Sequence, residues 1–333
     1  MEYTTLGRSN LIVSKICLGT MHFGSRTLKA DAFAIMDKAL EMGINFFDTA
    51  NVYGGRPNTG STEEIIGRWF QQGGGRRDRV VLASKVYGQM TSDTLPNEAA
   101  GISAYKVRKH LADSLRRLQT DHLDLYQVHH FDRHITLDEF WGTFERLIDH
   151  GDVLYIGTSN FPGWGLTKFQ MNAWQRGLVG LVSEQTQYNL LNRIPELEVL
   201  PAALDFGIGI LAYMPLAGGL LTGNKTIIEG SRTHNVEREY EITPERGPQF
   251  EAFSALCREL GEQEYVVAIA WTLAHPAVAS AIVGARTLAH LEGLDRAVAL
   301  CLDAAVMDRL NDIFDINRGR PLRPGPAPEA YAW

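Results

Sequence analysis

Four residues in the first 130 positions have the types an enzyme needs to hand a proton to a carbonyl oxygen: Asp48 and Tyr53 in FFDTANVYG, Lys85 in VVLASKVYG and His129 in DLYQVHH. A phenol is a usable acid at working pH only if its anion is stabilised. A Lys ammonium held by an Asp carboxylate would do this, pulling the Tyr53 pKa down from about 10, while a histidine orients the carbonyl by a hydrogen bond. Lys85 is the most telling of the four. A lysine within a strand buried on both faces is costly unless it has a partner, and Asp48, ending the neighbouring strand pattern, is the obvious counter-ion. Taken singly, Tyr53 reads as packing, as a loop tyrosine usually is, and Asp48 can be a helix cap; the combination points to chemistry.

Each of the four lies at or just past the end of an apolar run, and these runs alternate with helical patterns to the end of the chain. Strands are predicted over 16–19, 44–48, 80–85, 123–129, 153–158, 181–186, 209–213 and 280–283. Between them, sets such as Phe33, Met36 and Leu40, or Val107, Leu111, Leu115 and Leu118, repeat with the period of a helix. Ser61 and Glu64 have the spacing of a capping box, and Gly43 and Gly151 sit where a helix should hand over to a strand.

Eight such units predict an α/β fold, a closed (β/α)8 TIM barrel of roughly 250 residues with additions. These are an N-terminal β-hairpin turning at Gly7 to Asn10, a long loop after the seventh strand from Leu216 to Gly247, and a C-terminal helix plus Pro-rich tail after Leu302. The rival is an open doubly wound sheet, but the turn after the first strand reads GTMHFG and lacks the dinucleotide fingerprint. Nothing has the composition of a linker, so residues 1–333 read as a single domain.

Hydrophobic residues make up 45% of the chain, enough for a large core, and the net charge of -7 argues against a nucleic-acid footprint. The sequence shows neither an apolar run of about 18 residues nor a charged-then-apolar leader, so no membrane partner is expected. Cys17, Cys257 and Cys301 are odd in number and far apart, which fits small core residues in a reducing cytoplasm. Gly218 to Thr226 superficially suggests a phosphate loop, but Asn224 stands where the lysine should be. His129, His130 and His134 form a tempting cluster, yet Asp132 is the lone further ligand type nearby, so no metal is expected. The GGG run at 73–75 followed by RRDR reads as a helix end and a solvated loop.

Six segments in order, FFDTANVYG, LASKV, DLYQVHH, VLYIGTSNF, SEQTQYNLL and AYMPLAGGLLTG, together resemble the aldo-keto reductase superfamily, and the closing PGPAPEAYAW looks like the tail of actinobacterial members of its bacterial sugar- and channel-β-subunit-like branch. The resemblance implies an NAD(P)H-dependent carbonyl reductase in which Tyr53 is the general acid/base, Lys85 and Asp48 tune it, and His129 positions the substrate oxygen. Asp48 is then also expected near the nicotinamide ribose. Ser159, Asn160 and Gln185 match residues that bind the nicotinamide carboxamide, and Tyr213 matches the ring that stacks on it. Further cofactor contacts are expected from Gly19, Thr20 and Met21, from Pro215, Leu216, Gly218 and Lys225, and from Gly284, Arg286 and His290. In a closed barrel the strand ends carrying these groups ring one mouth, across which a flat nicotinamide could lie. Gly284 and the backbone N–H groups opening the next helix can cradle a phosphate, and Arg286 can pair with a 2′-phosphate, so NADPH is expected, with NADH left open.

The chain departs from the family where the adenosine end would bind: Met214 replaces a serine, Asn224 displaces a lysine to Lys225, His290 replaces Gln or Arg, and Gly293 and Leu294 replace a Glu-Asn pair. The small-molecule carbonyl substrate is expected to meet His22, Phe23, Val52, Tyr87 and His130, with Met90 and the YAW end at the rim. Their mixed polarity points toward a sugar or nucleotide-linked deoxysugar, and simple aldehydes stay open. So does a homo-oligomer. The alternative to a working enzyme is an NADPH-binding, redox-sensing partner subunit with slow turnover; the chain begins MEYTTLG at the hairpin, with no interaction arm, which favours the enzyme.

Overall fold

The computed structural model describes residues 1–55, 58–91, 95–223 and 247–315. Lys225, most of the predicted loop after the seventh strand, and the tail with its YAW end lie outside the described residues.

A two-stranded antiparallel hairpin comes first, β1 (Tyr3–Thr5) with β2 (Ile12–Ser14). Eight parallel strands then close a barrel: β3 (Ile16–Gly19), β4 (Phe46–Asp48), β5 (Val81–Val86), β6 (Leu123–Val128), β7 (Val153–Ser159), β8 (Leu181–Gln187), β9 (Gly209–Tyr213) and β10 (Val278–Val283). The helices α1 (Lys29–Glu41), α2 (Ser61–Phe70), α3 (Ala104–Leu118), α4 (Leu137–His150), α5 (Gly163–Gln175) and α6 (Val199–Phe206) come after successive strands, and further helices cover 247–260, 264–274, 294–299 and 304–313. The (β/α)8 barrel expected from the apolar runs is the fold observed. Parallel strands buried on both faces lose the polar alternation of an exposed sheet, which is why they read as near-continuous hydrophobic runs.

Alternate residues divide between two cores, because side chains on a strand point to opposite faces. Leu18, Phe47, Leu82 and Tyr126 point outward to the helices. Cys17, Phe46, Ala83 and Leu125 point into the barrel, where Leu6 and Val13 of the hairpin join them. One step further along β4, β5 and β6 the inward positions become Asp48, Lys85 and Gln127, aligned by the pairings Asp48 with Ala83 and Lys85 with Gln127. The barrel interior is thus apolar below and polar at the C-terminal ends of its strands. Gly157 on β7 makes this polar layer possible, since a Cβ there would collide with the side chains of Ser183 and Gln127.

Gly151 ends α4 in the left-handed region at φ 85°, as its position implied. Two local expectations fail. Ser61 is not a helix cap: the cap position is Gly60 at φ 92°, no side chain caps the helix, and Ser61 Oγ is turned toward Gly24 and Gly54. Nor does the RRDR segment merely solvate a loop. Arg76 Nε donates to Asp37 at 3.1 Å and Arg77 pairs with Asp124 at 2.9 Å, clamping the lower ends of β5 and β6.

Candidate active site

The polar layer opens into a cavity of about 340 Å³ at the C-terminal mouth of the barrel. Asp48 ends β4, Tyr53 lies on the turn after it, His129 comes just after β6, Asn160 just after β7, Gln185 lies on β8 and Tyr213 ends β9; all line this cavity. Lys85 is the buried floor beneath them, 0% exposed. Its Nζ donates to Asp48 Oδ2 at 2.6 Å, to the Thr49 carbonyl at 2.9 Å and to Tyr53 Oη at 3.1 Å. Burial works against the ammonium, but the Asp48 carboxylate and Tyr53 outweigh it and hold the Lys85 pKa above its ordinary value. Lys85 therefore carries its charge directly beneath the phenol.

His129 meets Tyr53 edge-on, with ring centroids 5.8 Å apart, and stacks on His130 at 4.9 Å. Desolvation first, then the positive charge of Lys85 and the presence of His130, push the His129 pKa well below its usual value, so the ring is neutral at working pH. A neutral imidazole beside a phenol can donate one hydrogen bond to an oxygen placed between them.

On the other side of the mouth the residues matched to a nicotinamide form one connected set. Gln185 Nε2 donates to Asp48 Oδ1 at 2.9 Å, and the Gln185 carbonyl accepts from Ser159 Oγ at 2.9 Å and from the Asn160 N–H at 3.0 Å. Asn160 sits in the left-handed region at φ 58°, and its Oδ1 accepts from Tyr213 Oη at 3.0 Å. Side-chain amides, a hydroxyl and an aromatic ring around a cavity this size fit a carboxamide-bearing flat ring.

Gly19, Thr20, Met21 and Gly284 line the same cavity. Met214, at φ 54°, does so in place of the expected Pro215, Leu216 and Gly218, which lie outside the lining. Arg286 and His290 also lie outside it. Beyond β10 the chain forms a short 3-10 turn, Leu288–Leu291, rather than the expected helix start, and the Arg286 N–H already donates to His290 Nδ1 at 3.1 Å. Of the substrate candidates, His22 and His130 line the cavity. Tyr87 is not among the lining residues but meets the His130 ring edge-on at 5.2 Å, and Val52 packs toward Gly88. Phe23 is a correction: it is fully buried in the core outside the barrel, and its carbonyl accepts from Thr62 Oγ1 at 2.8 Å.

Two buried polar residues escaped the sequence reading. Gln127 Nε2 donates to Asp48 Oδ1 at 3.0 Å; it stands two positions before His129, so strand periodicity could have aimed it at the mouth. Glu184, fully buried on the outer face of β8, accepts from Thr158 Oγ1 at 2.5 Å and from the Phe161 N–H at 3.0 Å, bracing the turn that holds Asn160. Its signal was a carboxylate within a strand predicted to be buried on both faces.

Desolvation raises the Glu184 pKa from 4.5 to about 8. Over that window the unfolded chain has lost a proton the folded chain keeps, so stability falls as pH rises and levels off near the folded value. Glu184→Gln removes the titration. Its melting temperature is expected to decline less between pH 5 and pH 8 than that of the wild type, an effect on the order of a few kcal/mol; parallel melting curves across that range would contradict the assignment.

Comparison with known proteins agrees with this architecture. The profile of the Aldo/keto reductase family matches residues 15–315. An uncharacterized oxidoreductase, YrpG of Bacillus subtilis, is 52% identical over the full length of both chains. A probable voltage-gated potassium channel subunit beta of Oryza sativa is 31% identical over 94% of this chain and 96% of its own. An aryl-alcohol dehydrogenase [NADP(+)] of Phanerodontia chrysosporium is 28% identical over 93% of this chain and 85% of its own. With an Asp–Lys–Tyr–His mouth on a (β/α)8 barrel and a family match over nearly its whole length, the chain belongs to the aldo/keto reductase family and is an oxidoreductase whose general reaction is carbonyl reduction.

Proposed function

We propose that the protein reduces an aldehyde or ketone to the alcohol with NADPH, the proton coming from Tyr53. The observation that carries this reading is the Lys85 ammonium 3.1 Å from Tyr53 Oη and 2.6 Å from Asp48. A bound nicotinamide dinucleotide supplies the hydride; the side chains do the rest. A substrate carbonyl seated against Tyr53 and His129 accepts a hydrogen bond from each. As negative charge develops on its oxygen, Tyr53 gives up its proton and Lys85 stabilises the phenolate left behind. Asp48 keeps Lys85 in place, while Gln127 and Gln185 fix the carboxylate from its other oxygen. Ser159, Asn160, Gln185 and Tyr213 would hold the nicotinamide across the mouth.

The preference for NADPH rests on Arg286 at the open end beyond Gly284 and on the relative named for NADP(+). Arg286→Ala is expected to weaken NADPH by about 1.5–3 kcal/mol, the range for a hydrogen bond to a charged group, and to leave NADH nearly unchanged. Equal losses for both cofactors in a fluorescence titration would show that Arg286 acts structurally. For the substrate, His22 and His130 add polar groups beside Met21, Met214 and Tyr213 in a cavity already lined by Asp48, Asn160 and Gln185. That mixture suits a hydroxylated carbonyl compound of the sugar or nucleotide-linked deoxysugar type. Steady-state turnover over keto sugars and aromatic aldehydes, monitored by loss of NADPH absorbance, tests the reading. Uniformly slow turnover across the panel would favour the redox-sensing subunit, in keeping with the relatives named as channel subunits.

A further inference from the structure

Behind the turn that carries Tyr53, outside the barrel, lies a chain of buried polar groups that the proposed reaction does not use. Asn51 is 0% exposed and fixed at its backbone, where its N–H donates to the Lys85 carbonyl at 3.3 Å. Its Nδ2 lies 3.0 Å from His110 Nδ1 on α3. His110 Nε2 lies 2.9 Å from Glu98, which also receives Lys109. One turn earlier on the same helix face, Lys106 donates to the carbonyls of Tyr87 and Ala99, both at 2.6 Å.

These contacts determine the state of the imidazole. Burial pushes the His110 pKa below its ordinary value and outweighs Glu98, so the ring is neutral. A neutral ring has one N–H, and the carboxylate of Glu98 requires it on Nε2; Nδ1 must then accept from the Asn51 amide. The polarity runs one way along the chain, and each bond supports the next. Directed hydrogen bonds between buried groups fix geometry even though Asn51 Oδ1 is buried without a partner among the described residues, and the geometry here is that of the residues between Asp48 and Tyr53.

We propose that His110 is a positioning residue for the reaction: bonded to Glu98 and Asn51, it holds the turn that presents the Tyr53 hydroxyl to the substrate. The inference rests on the reading of Tyr53 as proton donor. Because Ser159, Asn160, Gln185 and Tyr213 stand on or beside β7, β8 and β9, and Asp48 at the start of the turn is held by Lys85, Gln127 and Gln185, a disturbance beyond Asp48 acts on turnover rather than on cofactor affinity.

The test compares NADPH-driven reduction of nitrobenzaldehyde with the NADPH Kd read from tryptophan fluorescence. His110→Phe keeps a ring and deletes both nitrogens; kcat is expected to fall by about ten-fold or more, the scale of a misplaced catalytic group, with Kd changed by less than about two-fold. His110→Asn, whose carbonyl can still accept from Asn51, should recover part of the loss, and His110→Gln, which reaches only toward Glu98, should not. Unchanged kcat in His110→Phe, or kcat and Kd worsening in parallel, overturns the proposal. If that variant does not fold, Glu98→Leu decides, since it breaks the outer end of the same chain: the same split supports the role, and its absence overturns it. Tyr53→Phe separates this inference from the reading beneath it. If it retains turnover, the underlying reading fails; if it is inactive while His110→Phe is normal, only this inference fails.

Discussion

Tyr53→Phe is expected to lower carbonyl reduction by at least about 10²-fold, the scale of a lost general acid, while the barrel and its cofactor affinity survive. The substitution removes one oxygen and leaves the ring in contact with His129 and above Lys85, which lies 4.8 Å from the ring centroid. No buried charge is orphaned, because Lys85 retains Asp48 and the Thr49 carbonyl. The loss should therefore fall on kcat. Near-normal turnover in a pure sample would remove Tyr53 from the mechanism.

Lys85→Met should change two observables together. Asp48, 2% exposed, would lose its only ion-pair partner among the described residues, and breaking a buried pair costs about 3–5 kcal/mol of stability. Gln127 and Gln185 still donate to the carboxylate, which places the expected loss toward the lower end. The pH profile should move as well. With the ammonium gone the phenolate is less stable, so the alkaline limb of the reduction profile shifts to higher pH while its plateau drops. In the wild type the sign for stability is the same as for Glu184: the Lys85 pKa is raised on folding, so its contribution is fully present at neutral pH and is lost as pH rises above the ordinary lysine value. Wild-type melting together with an unshifted profile would mean that Lys85 is solvated.

The barrel and the types of residue at its mouth were legible in the sequence because both are local patterns. Strands buried on two faces must be apolar along their length, so the polar residue that ends each run marks both an edge and a site. Asp48, Lys85 and His129 were found that way, whereas Gln185 came from the resemblance to the family. Beyond the Lys85 contacts with Asp48 and Tyr53, which the chemistry of a buried lysine foretold, contacts made across the sequence were not legible. Gln185 meets Asp48 over a separation of 137 residues and Gln127 meets it over 79. His110 meets Asn51 over 59, and the buried Phe23 receives Thr62 over 39. Strand register and the seating of each helix on the barrel set these pairings, and neither leaves a mark on neighbouring residues. The same holds for Ser61, whose spacing fits a cap while close packing against Gly24 and Gly54 turns its hydroxyl elsewhere. Residue type and spacing therefore determined which groups could do chemistry at the barrel mouth. Tertiary packing decided which atom of each group faces which partner, because a hydrogen bond requires fixed distance and direction that only the closed barrel imposes.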